Sequence, residues 1–578
     1  MALMRDPNKD FEPIRESLNG WRDDFPKNFY KFNGNLRGSL LHWLGKNRLE
    51  THEKLLYQVG YDAATSLNEW AIETNRDENL PQLRSYDRFG NRVEEVVFHP
   101  LYHEMGRKIY ASKIMTLYQT PGLDVLQMAM FYLYAHNGEA GHCCPLACTA
   151  GAIKLIQGEA NDQIKKQYLP RLLDPNYDTH LHASQFLTEL QGGSDVGANK
   201  TRAIEAVDGT YRLYGEKWFC SVIDAGLFVV SARPEHAPEG TKGLTTFLVP
   251  RFLEDGRPNH FSIKRLKYKV GTRSMASAEI DLLGSTAHAV DAPGAGFKHI
   301  LNYVLNTSRL YNSIAAAGAI QRAYFEASTY AKAREAFGQP ILQYPLVRRS
   351  LAFLRTEAAV NLASSMHVAS LAAKIADNNA DDEDRQEFRF LVNANKYWTS
   401  IRATQAVREA IEVFGGNGAI EDFSVLPRLY RDSIVIESWE GSHNVLCQQI
   451  LRDMTRYQVH ASTLERAFQR VENNLYGDFA LEARELLMAL GHVRDRVQEF
   501  LRFEPQQAQL HIRPWIDQVI AVIQGCDLLD ELATEHKAGF DTGKADILRY
   551  HILRTINNGN MFGSGEYYAL EEKLAQHH

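Results

Sequence analysis

The feature that most restricts how this chain can fold is a change of hydrophobic period near its middle. Between about residues 182 and 290 the apolar residues recur every second position, as in "GTYRLYGEKWFC", "LFVVSAR", "LTTFLVPRF" and "HFSIKRLKYKVG", with Asp-Gly, Pro-Glu-Gly and Asp-Gly-Arg-Pro turns between them. On either side the period is three to four. Upstream, "IMTLYQTPGLDVLQMAMFYLYAH" and "AIKLIQGEANDQIKKQYLPRLL" read as helices broken by Pro and Gly. Downstream, a long alanine-rich stretch stops at Gly338-Gln339-Pro340, and "IRATQAVREAIEVFGGNG" stops at Gly415-Gly416-Asn417-Gly418. A β domain is therefore expected between helical ones in an α+β multidomain chain: helical 1–181, β 182–290, a helical bundle 291–455, and a further helical domain 456–578.

At 578 residues the chain exceeds what one core serves. Hydrophobic residues make up 44%, and no run approaches the ~18 to 20 apolar residues of a membrane span. The start, "MALMRDPNKDFEPIRE", mixes acids into its basic residues, unlike a secretory or transit signal, so a cytoplasmic location is expected. Six cysteines are too few for a disulfide framework, and those of "HCCPLAC" (His142, Cys143, Cys144, Cys148) lack metal-site spacing, so buried thiols and no metal are expected. The net charge of −7 gives no basic field for nucleic acid or anionic lipid.

The segment "VIESWEGSHNVL" carries two carboxylates, Glu437 and Glu440, at a spacing that shares one helix face. Such a pair can work as acid and base or be a solvated face. Glu440 differs in its company: Trp439 before it, Gly441-Ser442 after it, Val445-Leu446 closing in. An apolar wrapping raises a carboxylate's pKa and makes it a better base.

Five motifs, in order, resemble the acyl-CoA dehydrogenase family. "FLTELQGGSDVGANKTRA" resembles its T-E-P-G-A-G-S-D stretch, "GEKWFCS" its flavin-facing strand and "AREAFGQP" its R-x-x-F-G-x-P; "FGGNG" and "YRDSIVIESWEGS" resemble its closing segment. "LVPRFLEDGRPN", "RLKYKVGTRSMAS" and "WEGSHN", with the extra C-terminal helical domain, are similar to the AidB-type branch, the alkylation-response flavoproteins. The likeness runs from about Ser85 to His578.

The resemblance implies an N-terminal helical domain, a middle β-barrel or sandwich and a C-terminal bundle. It implies FAD-dependent α,β-dehydrogenation of an acyl-CoA thioester, with Glu440 as base and hydride passing to flavin N5. Leu187, Thr188, Gly193 and Ser194 would contact the flavin edge and diphosphate, while Phe219, Cys220 and Ser221 would lie along the isoalloxazine. Arg334, Phe337, Gly415 and Gly416 would reach a neighbouring subunit's FAD, and Ser442 and Asn444 would serve the adenine side. Arg309, Trp439 and Gly441 fall to the substrate, and Glu437 is left as a solvated carboxylate. Asn306 stands where the family often has Asp, His443 adds an imidazole that could be packing or a second acid or base, and Trp439 could narrow the acyl cavity. Implied partners are an electron-transferring flavoprotein and further copies of the chain, as a homotetramer.

The AidB likeness carries a second reading, a DNA-associated flavoprotein with vestigial dehydrogenase activity. Phosphate binding needs clustered cations, whereas from Arg456 onward there are 18 Asp and Glu against 13 Lys and Arg. A third reading is an acyl-binding regulator without turnover, which retention of a carboxylate at 440 opposes.

Overall fold

The structure is a computed structural model that describes residues 11–290, 294–557 and 565–576. The "MALMRDPNKD" start and the first three residues past the expected boundary at 290 lie outside the described residues.

The strands are β1 (Gln82–Tyr86), β2 (Arg92–Val97), β3 (Ala183–Phe186), β4 (Arg202–Glu205), β5 (Tyr211–Ser221), β6 (Leu227–Pro234), β7 (Thr245–Pro250), β8 (Phe261–Leu266) and β9 (Ser277–Ala289). The middle sheet runs β3-β6-β4-β5-β9-β7 with β8 on β9, and pairing of β7 back to β6 closes it barrel-fashion. β3 runs parallel to β6, Ala183 opposite Leu227; β5 and β9 are antiparallel, Lys217 opposite Ile280. Alternation sends Phe186, Cys220, Phe228, Val230, Phe247 and Ile280 into the barrel's own core.

The helical reading of residues 1–181 misses one element. β1 and β2 form a hairpin whose turn is held by Asp87, which accepts from the N–H groups of Phe89 and Asn91, with Gly90 at φ +82°. It docks on the barrel, where Glu94 Oε2 accepts from Ile263 N–H at 2.5 Å. Its strands are short and largely solvated on both faces, so no apolar period announces them.

The bundle is built on helices Asn306–Ala333, Pro345–Ala376 and Asp382–Phe414, the first entered through a π-helical turn at Ile300–Leu305. Small residues let these helices approach closely. A Cβ on Gly318 would lie 3.0 Å from the Tyr132 carbonyl of helix Asp124–Ala135. The C-terminal helices continue the bundle: Ile516, Ile520 and Leu529 of helix Pro505–Lys537 belong to the same apolar cluster as Leu354, Leu362 and Leu391. Of the four segments drawn from sequence, the barrel has a separate core, and the three helical ones share one.

Candidate active site

Helix Leu426–Ser438 ends in a tight turn before helix His443–Tyr457, and Glu440 sits in that turn. Its φ is +56° and that of Gly441 is +105°; a side-chain-bearing residue in the left-handed region is strained and has to be held there. Two buried cations hold it. Arg309 Nε donates to the Glu440 carbonyl at 3.0 Å, and Lys396 Nζ donates to the carbonyls of Glu437 and Gly441 at 3.1 and 3.0 Å. A Cβ on Gly441 would press on Leu446 at 3.1 Å, which is why glycine follows the glutamate.

The Glu440 side chain meets the barrel. Gln185 of β3 donates Nε2 to Glu440 Oε1 at 2.9 Å and to Ser308 Oγ at 3.2 Å. Trp439 packs against both the helical and the barrel cores and donates its indole N–H to Asn312. Burial pushes the Glu440 carboxyl up to about 7, against the pull of Arg309, Lys396 and the Gln185 bond. Burial likewise brings Lys396 down to about 7, with Glu440 opposing.

Glu437 is corrected from the solvated residue expected. Its side chain is 26% exposed, accepts from His443 Nε2 at 2.8 Å and from the Thr404 hydroxyl, and these bonds outweigh its partial burial and keep it below the usual carboxylate range. His443, its ring edge on Tyr397, is thereby part of the scaffold. Arg309 is corrected too. It is 3% exposed, and beyond the Glu440 carbonyl it donates to Asn393 at 2.6 Å, Gln449 at 3.2 Å and Asn306 at 3.4 Å. The guanidinium is spent on positioning the turn.

A third correction concerns Cys220. On β5, Phe219 is 50% exposed and Ser221 half-buried, while Cys220 between them is fully buried in the barrel core, because successive strand residues face opposite ways. Its thiol is therefore turned from the face that Phe219 presents. Ser221 Oγ lies 3.1 Å from Ser277 Oγ.

The other residues given to FAD are half-buried or exposed. Leu187 and Thr188 are half-buried and Gly193 and Ser194 exposed in a loop organised by Glu189, which accepts from buried Lys217 at 2.9 Å, from Thr201 and from Lys200 N–H. Thr188 is fastened by its carbonyl to Trp218 N–H, and a Cβ on Gly193 would lie 2.5 Å from the Thr188 hydroxyl. Ser442 and Asn444 are exposed at the start of helix His443–Tyr457, where the Ser442 side chain makes no capping bond. Exposed aromatic face, free hydroxyls and helix-start amides are chemically suited to a flavin ring and a diphosphate. Arg334 and Phe337 belong to a separate place, a two-residue hairpin after helix Asn306–Ala333, with Phe337 97% exposed. Gly415 and Gly416 end helix Asp382–Phe414 with open space where a Cβ would be.

Sequence reasoning missed Gln185, Ser308, Asn312 and Lys396. Ser308, Asn312 and Lys396 sit on long helices and Gln185 on the four-residue strand β3, and in each case a polar residue looks like ordinary surface until the packing partner is known. Lys396 had one signal, a lone cation in the run "FLVNANKYW".

Comparison with known proteins places this geometry. The AidB N-terminal domain model matches residues 27–179, the acyl-CoA dehydrogenase middle domain 184–283 and the acyl-CoA dehydrogenase C-terminal domain 294–455, so the likeness begins well before Ser85. AidB of Escherichia coli (strain K12) is 34% identical over 407 residues, 68% of this chain and 73% of that protein. The solved structure of Bd2924 in its apo form aligns at 29% identity and TM-score 0.80, covering 88% of this chain and 99% of that one. Caenorhabditis elegans ACDH-11, solved in complex with C11-CoA, shares the fold at TM-score 0.84 and 24% identity over 90% of each chain. Among the described residues no helix is long and apolar enough to cross a membrane. With three domain models in order over its first 455 residues, the chain belongs to the acyl-CoA dehydrogenase family, in its AidB-type branch.

Proposed function

We propose that this oxidoreductase dehydrogenates an acyl-CoA thioester between Cα and Cβ, with Glu440 as the base and FAD as cofactor. The observation that carries the reading is the state of Glu440: a carboxylate on a fixed, strained turn, raised to about 7, beside two buried cations. A base of that pKa is substantially ionised at neutral pH and still strong enough to take a proton at its carboxylate oxygen. Arg309 and Lys396 keep the ionised form accessible despite burial, and they fix the backbone so that the side chain does not search for its position. The Glu440 backbone N–H is the donor assigned to the thioester carbonyl, where charge builds as the proton leaves. Trp439 covers the site and keeps water from the carboxylate. FAD, when bound, supplies the acceptor for the hydride from Cβ. Leu187, Thr188, Gly193, Ser194, Phe219, Ser221, Ser442 and Asn444 would hold it, with Arg334, Phe337, Gly415 and Gly416 reaching from a second copy. The exposed Phe337 at a hairpin tip supports that last assignment, and with it a dimer of dimers. An electron-transferring flavoprotein is the proposed electron acceptor.

The test is anaerobic bleaching of the protein's flavin by acyl-CoAs of graded length and branching, beside Glu440→Gln. Loss of the oxidised band with one chain class, abolished in the variant, is the expected result. Bound FAD that no thioester bleaches would overturn the reading.

A further inference from the structure

The β1–β2 hairpin does not close flat on the barrel. Between β2, the turn from β7 to β8 and the middle of β9 lies an open cavity of about 230 Å³, and it shares no residue with the Glu440 site. At about 30 Å³ per water it has room for roughly seven waters, or for one small ring and its substituent.

The charges in its wall do not balance. Arg251, 8% exposed, donates Nη1 to the Ile223 carbonyl at 2.5 Å and Nη2 to the Glu94 carbonyl at 2.7 Å, and no carboxylate oxygen bonds it among the described residues. A guanidinium has further N–H donors to give. Arg92, exposed at the rim, donates Nε to the Glu94 carboxylate and Nη2 to Ser262, leaving Nη1 without a partner among the described residues. Glu94 is the one acid in the lining, so two guanidinium groups face a single carboxylate whose oxygens are already taken by Arg92 and by Ile263 N–H. Acids close by do not make up the difference. Glu95 is paired with Arg84 and Asp255 with Arg257, and burial pushes the Asp224 carboxyl up, away from its ionised form. A guanidinium held nearly dry without a counter-charge is costly, and burial brings Arg251 below its usual range.

The remaining wall is apolar. The Arg251 guanidinium lies 5.7 Å from the ring centre of Phe252 and 5.9 Å from that of Phe261, and Phe252 and Leu283 stand exposed in the lining. We propose that this cavity binds a small aromatic monocarboxylate, its carboxylate on Arg251 and Arg92 and its ring against Phe252, Phe261 and Leu283. One negative charge restores the balance, where a dianion such as phosphate would overshoot it. A planar carboxylate matches the guanidinium fork, and phenyl walls favour an aromatic body.

The experiment titrates benzoate, benzamide and acetate onto the full-length holoenzyme by ligand-observed NMR. Benzamide keeps the ring without the charge, and acetate keeps the charge without the ring. Benzoate should bind at least about tenfold more tightly than either. Arg251 also ties the hairpin to the barrel, so the variants are placed at the rim. Arg92→Gln should weaken benzoate several-fold and leave benzamide unchanged, and Leu283→Trp, which fills the mouth, should abolish benzoate binding. Benzamide or acetate binding as tightly as benzoate would overturn the proposal, as would an absence of benzoate binding. Benzoate binding undiminished in both variants would place it elsewhere on the molecule and overturn the site.

Discussion

The last turn of helix Leu426–Ser438 and the turn that follows it hold carboxylates three residues apart, yet the two live under opposite rules. Glu437 has a histidine and a threonine on its oxygens and is held low; Glu440 has one glutamine amide, two cations that bond backbone rather than carboxylate, and is pushed up to about 7. The cations around Glu440 are used to fix its place without neutralising it. Spacing on a helix says nothing of this; what a carboxylate can do follows from which of its atoms are already bonded.

The sharpest way to break the contrast is to swap each acid for its amide. Glu440→Gln should lower the rate of flavin bleaching by on the order of 10³-fold, and Glu437→Gln by less than about tenfold, read by stopped-flow absorbance. Equal losses would mean that the two carboxylates share the chemistry. Next in size is Arg309→Ala, which strands the Glu440 carbonyl and the Asn393 and Gln449 oxygens in the interior. It should destabilise the fold by about 3 kcal/mol, seen as a fall in the denaturant midpoint.

The raised carboxyl also makes a pH prediction. Its folded pKa lies above the ordinary 4.5, so between those values the folded state binds more protons than the unfolded one, and stability from this group falls as pH rises towards about 7. Glu440→Gln should therefore raise Tm at pH 8 and leave it nearly unchanged at pH 4.5, a gain corresponding to at most about 3 kcal/mol. A Tm gain that is the same at both pH values would contradict the raised pKa. The smallest effect belongs to Lys396→Met. Removing that positive charge lets Glu440 rise further, so the acid limb of kcat/KM should move up by about one pH unit. A limb that stays in place would confine Lys396 to holding carbonyls.

How much of this was legible beforehand varies by element. The barrel could be read because a period of two is enforced wherever one strand face is buried, and Glu440 could be read from Trp439 and Gly441 on either side. The hairpin at Gln82–Val97 could not, since most of its residues meet water and its hold on the barrel is divided among Glu94, which accepts from Ile263 N–H and Arg251, Arg92, which donates to Ser262, and the partly buried Leu83 and Val96. Cys220 was misassigned because a motif names three consecutive residues, whereas a strand sends the middle one the other way. Gln185 and Asn312 were invisible for a simpler reason. Their meaning lies in partners on other elements, Glu440 for Gln185 and Trp439 for Asn312, which no single element determines.

The sharing of one core by the helical segments has a practical side. The helices after Tyr457 lie against Pro345–Ala376 and Asp382–Phe414 through Ile516, Ile520 and Leu529, and polar ties such as Tyr397 to Asp517 and Trp398 to Gln524 secure the seam. Tyr397 is also the ring against which His443 rests, just beyond the Glu440–Gly441 turn. Trimming the gene after codon 457 would not yield a lean version of a shorter relative. It would uncover a greasy trough that invites precipitation and would remove the buttress behind the turn, so the appendage is best handled as part of the enzyme's wall.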